Sequence, residues 1–67
     1  MPKKIRELIA LLEKSGFSNR GGKGSHRNFL HPSGVHVTLA GKPGNDAKKY
    51  QEKQVLSKIT EVKNENI

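Results

Sequence analysis

The sequence predicts an α+β domain of order α-β-β-β-α, in which a three-stranded antiparallel sheet carries both helices on one face. Three observations predict it: a helical stripe at the start, two alternating runs around Pro32-Ser33-Gly34, and a second helical stretch after a loop rich in Gly and Pro. Ile5, Leu8, Ile9 and Leu12 recur at i, i+3, i+4 and i+7, while Lys3, Arg6, Glu7, Glu13 and Lys14 fill much of the remaining surface. Pro2 suits the first turn and Gly16 the position just past the last, which sets the first helix at about residues 3 to 15.

Phe17 to Arg20 then form a short strand with Phe17 inward, ended by Gly21 and Gly22, whose missing Cβ atoms permit a tight turn or a bulge. Ser25 to His31 alternate, and Val35, Val37 and Leu39 alternate again, so the middle of the chain reads as a β-hairpin. Residues directly opposite in a hairpin share a face, and Phe29 must join Val35, Val37 and Leu39 in one core. A Pro32–Gly34 loop does this by pairing Phe29 with Val37, whereas a two-residue loop would expose one side of that core. His26, Asn28, His36 and Thr38 then fall on the other, open face. Leu30 falls there too, with no role that the sequence explains.

The stretch AGKPGND, residues 40 to 46, is a loop in which Asn45 or Asp46 is placed to cap the second helix. That helix is expected from about Ala47 to Val62, with Tyr50, Val55, Leu56, Ile59 and Val62 inward, and the closing KNENI is expected to fray.

One domain over 1–67 is all that 67 residues allow, and a chain of that length buries only ~60% of its unfolded surface. With 31% hydrophobic and 4% aromatic residues the core is a single layer, and stability of roughly 3 to 5 kcal/mol is expected. The absence of cysteine excludes disulfides, thiolate nucleophiles and cysteine metal sites. Charges inside the apolar periodicity of MPKKIRELIALLEKSG exclude a signal peptide or membrane span there, so a soluble, cytoplasmic protein is expected. Thirteen Lys and Arg against six Asp and Glu give +7, a field that favours a polyanion, nucleic acid first, over a purely solvated surface. No segment joins a strongly basic face to an aromatic-rich apolar one, which argues against a membrane surface as partner.

His26 is the foremost candidate for chemistry. An imidazole trades protons near neutral pH, and this one is expected to be exposed, with Lys23, Arg27 and the amides of a glycine-rich turn nearby. Such surroundings suit phosphate, although an exposed strand histidine is also commonly an ordinary polar residue. His31 leans toward the core side by parity, where it would pack or hydrogen-bond at the turn. His36 shares the open face with His26 but lies opposite Leu30, ~13 Å along the ribbon at about 3.4 Å per residue, too far for a direct acid–base pair. The GGKG turn lacks the spacing of a nucleotide-binding loop and precedes a strand, yet its amides and Lys23 can meet phosphate as any basic turn can. Three scattered histidines without a carboxylate cluster form no metal site, and no cofactor is expected. Lys3, Lys4, Arg6, Lys42, Lys48, Lys49 and Lys53 serve solubility by default, and those near the sheet edges or the 40–46 loop can track an RNA backbone.

The element order is that of double-stranded-RNA-binding domains, a likeness of layout alone. Taken with KIRELIALLEKSGF, GSHRNFLHP, the valine-containing return strand and a closing helix, the chain resembles the HicA toxins of toxin–antitoxin pairs over nearly its whole length. Gly24-Ser25-His26, Phe29 and His31-Pro32 look like that family's G-S-H-x-x-[FY]-x-H-P pattern. Where many members carry a V-P-H-P-like segment after the third strand, this chain has VTLAGKPGND.

The resemblance implies an mRNA interferase, an endoribonuclease held in check by a HicB-type antitoxin. It places the catalytic role on His26, adjacent motif residues on Gly24 and Ser25, and a structural anchor on Phe29. Joined to the local reading, it gives an RNA contact set of Lys23, Gly24, Ser25 and Arg27. Two other classes fit the same charge: a non-catalytic RNA-binding module, which would bind without cutting, and a protein-interaction domain, which would ignore RNA.

Overall fold

A computed structural model describes residues 3–24 and 26–65. Its elements are α1 (Ile5–Lys14), β1 (Ser18–Gly21), β2 (His26–Leu30), β3 (His36–Ala40) and α2 (Lys49–Glu65). The sheet is an antiparallel meander of order β1-β2-β3. Phe29, Val37 and Leu39 point from it into one core with Ile5, Leu8 and Leu12 of α1 and Val55, Ile59 and Val62 of α2, so both helices cover the same face, as the sequence predicts. Phe29 pairs with Val37 and Leu30 with His36, the register that the shared-face argument requires.

The ends of α1 follow from local chemistry. Gly16 adopts φ +100°, its N–H donates to Glu13, and the Phe17 N–H donates to Leu12, which together make a Schellman cap and fold Phe17 back onto the core. At the other end the Ile5 and Arg6 N–H groups donate to the carbonyls of Asn45 and Pro43, 2.9 and 3.0 Å away, and Lys4 bridges to Asp46. The helix therefore starts two residues later than expected, because the 42–47 loop supplies its cap. The first-turn role expected of Pro2 lies outside the described residues.

That use of the loop also moves the second helix. The Asn45 carbonyl and the Asp46 carboxylate are used by the start of α1, and neither residue caps α2, which begins at Lys49 rather than Ala47. Instead Gln51 reaches back so that its Oε1 accepts the Lys48 N–H at 2.9 Å, and Glu7 does the same for the Lys4 N–H at 3.3 Å. The expected inward stripe needs correction too. Val55, Ile59 and Val62 are buried, but Tyr50 and Leu56 are 62% and 46% exposed, and Gln51 takes the inward place. Positions 51, 55, 59 and 62 repeat at helical spacing, whereas Tyr50 and Leu56 each sit about 100° around the helix from a buried neighbour. Gln51 is tolerated because its Nε2 donates to the Ala40 carbonyl at 2.8 Å. The end of the chain expected to fray remains helical as far as Glu65.

Among the described residues no helix is long and apolar enough to cross a membrane.

Candidate functional site

His26 is the first residue of β2, where its N–H donates to the Lys23 carbonyl at 3.0 Å and closes the glycine turn. Its Cα partner is Ala40. Phe29, at odd offset along the strand, faces the helices, so the His26 ring stands on the uncovered side with Asn28 and Leu30, facing His36, Thr38 and Ala40 of β3. The side chain is exposed, as the sequence predicts.

Gly22 is the residue that lets the turn approach so closely. A Cβ there would overlap the His26 carbonyl oxygen and lie 2.9 Å from its carbonyl carbon, backbone atoms that cannot swing aside. Gly22→Ala should therefore lower stability by about 1–3 kcal/mol, the range for overpacking, and displace the His26 strand end. Gly44→Ala, where a Cβ meets nothing within 4 Å, is the matched control and should fall within about 0.5 kcal/mol of the parent. Equal melting temperatures for the two variants would refute the close approach.

The structure separates the expected contact residues. Lys23 and Gly24 lie exposed in the turn, with Gly24 at φ +58°. Ser25 lies outside the described residues. Arg27 shares the parity of Phe29 and is directed away from the His26 ring, its Nη1 donating to the Gly41 carbonyl at 2.9 Å in a half-buried setting. It anchors the start of the 41–48 loop.

His31 is structural in its contacts. Its ring sits 5.2 Å from that of Phe17, a Cβ on Gly16 would come within 3.1 Å of its Nε2, and its Nδ1 accepts the Ser33 N–H at 3.0 Å. His36, opposite Leu30 at the far end of the ribbon, is exposed and remote from His26.

Two arrangements on the open face lay beyond the sequence reading: a hydrogen bond between two residues expected there, and the placement of Arg20. Thr38 donates from Oγ1 to Asn28 Oδ1 at 2.9 Å, which orients the Asn28 amide two residues from His26 on the same side. On β1 the pairing jumps from Asn19↔Phe29 to Gly21↔Asn28, leaving Arg20 as the extra residue of a bulge. Asn19 Oδ1 accepts the Gly21 N–H at 2.8 Å and Gly21 takes φ +86°, so the side chain of Asn19 and a glycine build the bulge together. Arg20 is thereby set with Ser18, Leu30 and Pro32 around a shallow depression. Leu30, 38% exposed, forms part of its floor. Alternation places Asn28 and Thr38 on this face without showing the bond between them, and the β1 bulge is what hides Arg20 from the same count.

Electrostatically the strand region is one-sided. Between Ser15 and Asn45 the chain carries Arg20, Lys23, Arg27 and Lys42 and no Asp or Glu. A polyanion approaching the open face meets no carboxylate from the sheet. Among the described residues no group of three His, Asp or Glu could hold a metal ion.

Fold and face together define a class: small basic α-β-β-β-α domains that leave one side of the sheet bare and present a histidine on it. The family profile described as HicA toxin of bacterial toxin-antitoxin matches residues 5–60, spanning every strand and most of both helices. The chain belongs to that family, and is the toxin of a toxin–antitoxin system. A comparison with curated proteins returned no match.

Proposed function

We propose that this toxin is an mRNA interferase, an endoribonuclease in which His26 is the general base. The observation that carries the reading is an exposed imidazole on a sheet face whose charged residues are all basic. Neutral His26 takes the proton of a ribose 2′-OH. The 2′-oxygen then forms a bond to the adjacent phosphorus as the bond from phosphorus to the 5′-oxygen breaks, and water protonates the departing 5′-oxygen. The products are a 2′,3′-cyclic phosphate and a 5′-hydroxyl, with no oxidant or metal needed to balance the step.

Lys23, Gly24, Ser25 and the Asn28 amide held by Thr38 stabilise the negative charge that builds on the phosphate. Arg20 tracks the RNA backbone across the bulge. Arg27 acts from the other side of the strand, by fixing the Gly41 segment and adding to the positive field. With one histidine in reach and no partner acid among the described residues, the enzyme is a modest one. A toxin can be slow, because each cut removes a whole transcript from use.

A HicB-type antitoxin, expected to be acidic, inhibits by covering this face, and the single domain works in the cytoplasm, where both transcript and antitoxin are made. The chemistry is tested by incubating the purified protein with end-labelled RNA and characterising the new ends. Cyclic phosphate and 5′-hydroxyl ends are expected; a 3′-hydroxyl with a 5′-phosphate would exclude attack by the 2′-oxygen. Salt-sensitive binding without any cleavage would replace this reading by the non-catalytic RNA-binding one.

A further inference from the structure

We propose that the cleft between the end of β3 and the first turn of α2 is a nucleobase subsite, with Tyr50 as its stacking platform. It receives a base of the RNA strand whose phosphate is held at His26, and so rests on the RNA-cleaving reading above. The cleft has a volume of about 220 Å³ and is walled by Ala40, Asn45, Lys48, Tyr50 and Gln51, with Ile5 beneath. Ala40 is the direct cross-strand partner of His26, on the same open face. Side chains so paired have Cβ atoms about 4.5–5.5 Å apart, while the cleft itself opens on the helix side of β3 over Ile5 and Gln51, so an RNA strand reaches it from His26 by passing round the edge of β3.

The ring itself is out of keeping with the rest of the chain. Of its three aromatic side chains, Phe17 and Phe29 are buried, while Tyr50 is 62% exposed at the rim of the cleft. A flat exposed ring beside a phosphate-binding face is what single-stranded nucleic acid uses, because every base has a face to stack.

The polar groups divide accordingly. Gln51 is spent within the fold, donating to Ala40 and accepting from Lys48, and Asp46 is paired with Lys4 Nζ at 2.6 Å. The Lys48 ammonium, the Asn45 side-chain amide and the Tyr50 hydroxyl have no partner among the described residues. Lys48 suits the backbone phosphate and the Asn45 amide suits a base edge, while the pairing of Asp46 removes the repulsion that a bare carboxylate would bring.

The test uses the intact protein and a short 2′-O-methyl oligoribonucleotide, which cannot undergo 2′-oxygen attack, with 2-aminopurine placed at each position in turn. Stacking on Tyr50 should quench the probe at one position. Tyr50→Phe should keep the quench and Tyr50→Ala should lose it. On unmodified RNA, Tyr50→Ala should lower kcat/KM about 5- to 150-fold, the range expected for one base–aromatic stack, with Tyr50→Phe near the parent.

An identical quench in parent and Tyr50→Ala would overturn the subsite while leaving cleavage at His26 untouched. A Tyr50-dependent quench in a protein that cuts no RNA would uphold the subsite and remove the nuclease reading. Normal RNA behaviour of Tyr50→Ala with weakened capture by an acidic protein partner would overturn it in favour of a protein contact.

Discussion

A His26→Ala variant with the circular dichroism spectrum of the parent should cleave RNA about 10²- to 10⁴-fold more slowly, the usual contribution of a positioned general base. Replacement of an exposed side chain that supports no packing should change stability by no more than about 0.5 kcal/mol. Activity and folding should therefore be separable at this position. His36→Ala supplies the comparison: it removes an imidazole from the same face at the other end of the ribbon, and its rate should stay close to that of the parent. A His26→Ala protein that degrades RNA as fast as the parent would show that the imidazole takes no proton in the reaction. Parallel losses in both variants would instead mark a general effect of charge or binding on this face.

The largest effect on stability is expected at Phe29. It is fully buried, lies opposite Val37, and meets the residues of both helices in the one core cluster. Phe→Ala at such a site costs about 3–5 kcal/mol, and a core of this size supplies roughly 3 to 5 kcal/mol in total. Phe29→Ala should thus be largely unfolded at 25 °C, read as loss of the far-ultraviolet spectrum and of a cooperative melting transition. Phe29→Leu retains most of the apolar volume and should fold with a lowered melting temperature. A Phe29→Ala protein melting with the parent would mean that the hairpin does not seat its aromatic residue between the helices.

These two positions differ by the parity of the strand, and that parity is legible in the primary structure. The alternation in HRNFL and HVTLA, together with the need for one apolar face, places Phe29 against Val37 and His26 on the opposite side. The stripe of Ile5, Leu8 and Leu12 and the glycine that ends it are equally local, since an amphipathic period and a Schellman cap are written within a few residues of where they act. The family profile spans the motif around His26 as part of residues 5–60.

The second helix shows where such reading stops. Its apolar residues are too few and too scattered to define a face, so Tyr50 and Leu56 look inward on hydrophobicity alone, while Gln51 goes in and is satisfied by Ala40, eleven residues earlier. Its starting point was decided at the opposite end of the chain. The 42–47 loop gives its carbonyls to Ile5 and Arg6, and Asp46 goes to Lys4, so the loop is held against α1 and neither candidate cap serves α2.

Local periodicity, face parity and turn chemistry were thus determined by the sequence alone, because each depends on neighbours a few residues apart. Tertiary structure decided the close approach of Gly22 to the His26 backbone, the turning of Arg27 to Gly41, and the cleft beneath Tyr50. Each of these depends on which distant backbone groups still need a partner once the core has closed, and that demand exists only in the folded chain.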